Sequence, residues 1–315
     1  MKRMIVGVLA LGLGACAQQA PGGELPVALG GGWMSLPADT AKIMCPPTGW
    51  SRDELIAAKA AGFEIADNEK RQAFAKAITA CLASPDPALR DGIAYEALTH
   101  MLRGRQLSAP TQTALMADLV ARLDAPAGQG FEQPFAALAL SEVARADRVE
   151  AFLTEDELIK LLVDAQHWFI NVSDYRGYDA AEGWRHGVAH GADLLMQLAL
   201  NPRIDAEGLR VIVSAVGVQV APKEHAYVFG ESERLARPVL IAAGRGALET
   251  TKWTEWLKVM ATPPEGVEPF GEAWLAWRHN ATAFLQTLYV NVMLGGDAAD
   301  DVLRPGLEAA LKAMP

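Results

Sequence analysis

Asp91-Gly92-Ile93-Ala94-Tyr95-Glu96-Ala97-Leu98 and Pro134-Phe135-Ala136-Ala137-Leu138-Ala139-Leu140 decide how this chain folds. The two segments look alike, and neither shows the period-2 alternation of a strand. The series continues through the segment around His186, through Glu231 to Leu240 and through Asn280 to Leu288, at intervals of roughly 40 to 55 residues. That period matches stacked helix pairs of the HEAT or armadillo kind, in which each pair buries its apolar face against the next.

Start and stop signals extend the helical reading outward. Ser51-Arg52-Asp53-Glu54 and Thr154-Glu155-Asp156-Glu157 are capping boxes. Asp86-Pro87 and Ser108 with Pro110 supply an N-cap followed by proline in the first turn, and Asn201-Pro202 closes a helix. Helices are expected over 51–61, 67–82, 87–103, 108–123, 132–146, 154–169, 180–200, 205–218, 231–245, 248–260, 270–293 and 298–313. Short connections make consecutive helices antiparallel neighbours. The expected fold is all-α: a single domain over 45–315 built as a HEAT/armadillo-like α–α solenoid of about twelve helices. A closed α/α toroid or an irregular helical bundle is the alternative.

Of the 315 residues 51% are hydrophobic and 21% charged, the composition of an ordinary globular protein. The formal charge of −10, with no concentrated Lys/Arg surface, argues against a nucleic-acid partner. Lys2 and Arg3 precede a short apolar run, Met4 to Leu13, too short for a permanent membrane helix. The run ends in Leu13-Gly14-Ala15-Cys16, which resembles the bacterial lipobox. The resemblance implies a signal peptide over 1–15, cleavage before Cys16 and lipid on its sulfur and amino group, which together make a stable anchor. An ordinary secretory peptide is the alternative. Ala17, in place of an aspartate, points to the outer membrane, with the domain facing the periplasm of the cell envelope. Residues 16–44, rich in Gly, Pro, Gln and Ala, read as a tether. In an oxidising compartment the two remaining cysteines, Cys45 and Cys81, are expected to form one disulfide, with two buried thiols as the alternative.

The chemistry-bearing stretch runs from Asp174 to Leu198. A polar loop, Asp174 to Glu182, leads into a helical segment on which His186, His190, Asp193 and Gln197 fall within about 60° of one another. Trp184, Val188, Leu195 and Leu198 take the opposite side. If the repeat register holds, the concave face also receives Arg90, Asp91, Glu231, Arg234, His279 and Asn280, with Tyr227, Trp274 and Trp277 nearby. Polar groups over an aromatic floor suit a small-molecule pocket.

Four readings of the histidines stay open. His186 and His190 at i, i+4 can share a divalent metal such as zinc, completed by Asp193 or Glu231, although Gly187 stands where the zinc-protease helix carries glutamate. A histidine can serve as general base oriented by Asp193 or Asp174. The histidines can instead clip the Asp174–Asp179 loop and Arg176 onto the helix, or line a non-catalytic pocket. The tryptophan pairs 253/256 and 274/277 read as core packing.

Asp174-Tyr-Arg-Gly-Tyr followed by Gly183-Trp184-Arg-His186-Gly-Val-Ala-His190-Gly-Ala-Asp193-Leu-Leu is similar to the central motif of the bacterial family called domain of unknown function 2785. Arg90-Asp91-Gly92-Ile93-Ala94 and Asn280-Ala-Thr-Ala-Phe284-Leu285-Gln-Thr-Leu288-Tyr289 resemble its flanking motifs, so the likeness spans most of 45–295. It implies an all-helical, repeat-like fold and transfers no reaction. The resulting expectation is a lipid-anchored envelope module that binds a small molecule or an envelope protein. The alternative is a hydrolase, with or without metal, using His186, His190 and Asp193, with Asp174, Arg176 and Glu231 as further candidates.

Overall fold

A computed structural model describes residues 45–296 and 298–315. The signal peptide, Cys16 and the tether lie outside the described residues. Twelve helices account for most of the described chain. They are α1 (Arg52–Ala60), α2 (Asn68–Ile78), α3 (87–103), α4 (Ala109–Leu123), α5 (Glu132–Val149) and α6 (Glu155–Ile170). After a short hairpin come α7 (Gly187–Ala199), α8 (Ala206–Val218), α9 (Glu231–Gly244), α10 (Thr250–Met260), α11 (Glu272–Gly295) and α12 (Arg304–Ala313). The expected caps form: Ser51 and Thr154 each accept from the third residue of their helix, whose glutamate returns to the cap N–H.

The helices stack in two layers. Along one, α3 packs on α5, α5 on α7, α7 on α9 and α9 on α11. Along the other, α2 packs on α4, α4 on α6 and α6 on α8. Each even-numbered helix from α4 to α8 also packs on the odd-numbered helix that follows it. This is the all-α solenoid of the sequence reading. The last turn of the stack is irregular: α10 packs on α12 rather than pairing with α11, and α12 lies against both.

Small residues bring α5 and α7 together more intimately than any other pair. Ala136, Ala137, Ala139 and Ala144 of α5 and Ala189, Ala192 and Ala199 of α7 are fully buried. Gly191 takes Phe169 from the end of α6 onto its bare Cα; a methyl there would stand 2.8 Å from Phe169 Cε2 and 2.9 Å from Trp168 Cζ3. Trp253 lies in the main core, and Trp274 and Trp277 pack with Ala221 and Ala281 in a smaller cluster. Cys45 and Cys81 form a disulfide that ties the segment before α1 to the end of the α2 region.

One element departs from the sequence reading. Residues 180–186 are not helical, so α7 starts at Gly187. In their place β1 (Tyr178–Asp179) pairs antiparallel with β2 (Gly183–Trp184). Gly183 takes φ +77° to turn the hairpin, and the N–H groups of Arg185 and His186 go to the carbonyls of Gly177 and Arg176. The first helical bond of α7 is therefore His190 N–H to His186 C=O. His186 itself sits at the N-cap in left-handed backbone, φ 57° and ψ 39°. A non-glycine residue held there costs on the order of 1 kcal/mol or more, offset by its surroundings.

Candidate functional site

Two groups of buried ionisable side chains meet at the start of α7. The first is a clamp. Arg90, with no exposed surface, donates to the carbonyls of Ser84 (2.9 Å) and Glu182 (2.8 Å). Its Nε stands 2.7 Å from Asp91 Oδ1, off the N–H axis, so this is a charge contact rather than a hydrogen bond. Arg185 donates to Gln129 O (2.8 Å) and to Glu182 Oε2 (2.9 Å). Both guanidiniums stack on Phe131, at 4.1 and 4.2 Å from its ring centre. Burial pulls the Arg90 pKa down and pushes that of Asp91 up, each partly countered by the other's charge.

The second group lies between the start of α7 and α9. His186 Nε2 lies 3.3 Å from Glu231 Oε1, and both side chains are almost wholly buried. Neither atom completes a well-aligned hydrogen bond. Trp184 stacks on the His186 ring at 4.7 Å between centroids, and Tyr178 and Phe229 flank Trp184 in turn. Trp184 thus lies on the same side as His186, not opposite it, because the hairpin rather than a helix carries it. Burial raises the Glu231 pKa, but the His186 contact and the N–H of Phe229 (2.9 Å to Oε2) outweigh it and hold the carboxyl below its usual range.

His190, one turn into α7, donates Nδ1–H to Pro134 O of α5 at 3.1 Å, since a carbonyl can only accept. The tautomer leaves a lone pair on Nε2. Burial, then the charges of His186 and Arg234, drive the His190 pKa well below the ordinary 6.5. Asp193 forms ion pairs with Arg234 and, at 3.8 Å, with Arg237, both on α9. Burial raises its pKa against those two guanidiniums.

The expected stripe is thus split. His186, His190, Asp193, Glu231 and Arg234 share one neighbourhood, while Arg90 and Asp91 belong to the clamp. Asp174 and Arg176 pair with each other, with Arg176 Nε donating to Oδ1 at 2.8 Å, and reach toward Gln129 rather than the histidines. The loop is fastened by Arg90, Arg185 and the His186 backbone N–H on Arg176 O, and not by the histidine side chains, because that of His190 is taken by α5 and that of His186 faces α9. His279 and Asn280 hold a different loop: His279 donates to Tyr227 O (3.1 Å), and Asn280 bonds Pro222 O, His225 O and Tyr227 N. Among the described residues no three His, Cys, Asp or Glu side chains converge as a metal set. The trio His186, His190 and Asp193 is committed instead to Glu231, Pro134 O and Arg234.

Sequence reasoning missed Phe131, Arg185 and the Arg103–Glu142 pair, in which Arg103 grips the buried Glu142 through Nε (2.7 Å) and Nη2 (2.5 Å). A glutamate just after the apolar run Pro134–Leu140 of α5 was the available signal. It also missed Tyr95, whose pKa is raised by burial and then by Glu142 and, more weakly, Asp193.

No curated protein and no solved structure matches the chain. The family model described as a protein of unknown function, DUF2785, matches residues 97–290, which include α5, α7, α9 and every residue of the His186 group. The chain belongs to the DUF2785 family.

Proposed function

We propose that this chain is a ligand-binding module of the cell envelope, anchored through Cys16, whose ligand lies along α7 between α5 and α9, from His186 toward Gln197. The observation that carries the reading is His186: a buried, strained N-cap residue facing Glu231 under Trp184, with neither side chain's contact atom fully satisfied. Strain and incomplete hydrogen bonding concentrate where a protein holds groups ready for a partner. Binding rather than turnover is favoured because His190 and Asp193 are each tied to a protein group.

The direct test is native mass spectrometry of the full chain isolated with its envelope small molecules. A species retained by the wild type and lost from Gln197→Trp, which adds bulk to α7 where it faces Arg148, is expected; a wild type that retains nothing overturns the reading. Anchoring is tested by incorporation of labelled palmitate, expected in the wild type and lost in Cys16→Ala, and label absent from both removes the anchor.

The 3.3 Å His186–Glu231 contact also favours a second reading, a hydrolase in which Glu231 orients His186 as general base. Turnover of a generic chromogenic ester or phosphoester, abolished in Glu231→Gln, would establish it in place of simple binding.

A further inference from the structure

In a chain of net charge −10, the layer of α3, α5, α7 and α9 still carries guanidiniums that no carboxylate fully matches. Arg103 is matched by Glu142, and Arg234 by Asp193. Arg237 has only a distant second share of Asp193, at 3.8 Å. On α5, Arg145 and Arg148 stand one turn apart, and among the described residues neither has a carboxylate within ion-pair distance. Arg148 donates to Gln197 of α7 (3.1 Å), while its Nε is buried with no hydrogen-bond partner. Burial and then the neighbouring Arg145 charge depress its pKa. Like charges side by side on one helix face are destabilising, and an orphaned buried donor adds to the cost. Both are relieved by an anion.

The placement is as telling as the charge. Gln197 lies one turn beyond Asp193, so α7 presents both along one stripe. Arg148 reaches that stripe from α5 and Arg237 from α9, the helices flanking α7. Neighbouring packed axes are about 8–10 Å apart. A small oxyanion over Gln197 is therefore within reach of arginines from both flanks. Planar guanidiniums with several N–H donors suit phosphate and carboxylate oxygens equally.

We propose that Arg148 and Arg237, across Gln197, form a site for the phosphate or carboxylate group of the ligand. This rests on the binding reading above and names the chemistry of what is bound.

Isothermal titration of the full chain with inorganic phosphate, sn-glycerol 3-phosphate and citrate at low ionic strength tests it. Saturable binding of at least one of them is expected, weakening as salt rises. Arg148→Gln and Arg237→Gln should each weaken it about tenfold or more. Arg210→Gln, at an exposed position of α8 in the other layer, should leave it unchanged. Preference for the glycerol ester assigns an esterified phosphate, preference for phosphate a free one, and preference for citrate a carboxylate ligand. No saturable binding of any of the three, or an equal loss in Arg210→Gln, overturns the proposal. Should Arg148→Gln fail to fold by circular dichroism, Arg237→Gln carries the test, since its side chain is partly exposed. An envelope species retained undiminished by both arginine variants but lost from Gln197→Trp would overturn the anion site while leaving the binding reading intact.

Discussion

Arg185 and His186 are adjacent, and both are buried, yet the protein uses them in opposite ways. Arg185 is fixed: a permanent cation with a backbone carbonyl, a carboxylate and an aromatic face around it. His186 is held less firmly: its Nε2 faces a carboxylate at 3.3 Å without a well-aligned hydrogen bond, on strained backbone. A second contrast separates Arg90 from His190. Guanidinium cannot be neutralised in the protein, so each buried donor left unmet is costly and the clamp meets most of its own. Imidazole escapes the same penalty by titrating. Fixed charges therefore suit the clamp, where carbonyls, a carboxylate and a ring face meet them, and His190 can be buried because it can lose its proton.

Arg90→Leu should have the largest effect. It strands Asp91 and the carbonyls of Ser84 and Glu182, and a loss of about 3–5 kcal/mol in urea unfolding is expected. A loss under about 1 kcal/mol would show that the clamp is no more committed than the His186–Glu231 group. Gly191→Ala comes next. The added methyl meets Phe169 and Trp168, and overpacking of about 1–3 kcal/mol should outweigh the helix-propensity gain. Phe169→Leu in the same chain should restore part of the loss, and no rescue would place the strain elsewhere.

His190 sharpens the contrast through pH. Its folded pKa lies below the ordinary 6.5, so the unfolded chain binds the proton more readily. Its contribution is complete above pH 6.5 and is lost as pH falls toward the folded value, at up to about 1.4 kcal/mol per pH unit. His190→Asn should flatten the stability profile just below pH 6.5 relative to wild type; parallel profiles would mean that His190 does not titrate on unfolding. Glu231→Gln should have the smallest effect on stability, under about 1 kcal/mol near neutral pH, because no well-aligned bond to His186 is lost and the carbonyl of the new amide can still accept from Phe229 N–H. A thermal melt showing a loss as large as that of Arg90→Leu would erase the distinction between the two regions.

The sequence by itself determined the helices and their order. Capping boxes at Ser51 and Thr154, prolines after Asp86 and Ser108, and the recurrence of the Asp91 and Pro134 segments are short-range signals. Helix starts are settled within a turn or two of chain, and stacking follows when each pair needs the next to bury its apolar side. It also placed His186, His190 and Asp193 in one neighbourhood, because residues a turn apart cannot be far apart in space.

Only the tertiary structure decided what those side chains do. The hairpin at 178–184 replaced the first turns of the expected helix once the Arg185 and His186 N–H groups found carbonyls across the loop. Glu231 became the partner of His186, and Arg234 that of Asp193, because α9 packs on α7. Phe131 became the floor between two arginines through contacts that span distant parts of the chain. Ion pairs and ring stacks depend on which helices lie side by side, and that is fixed by the packing of the whole stack rather than by any local run of residues.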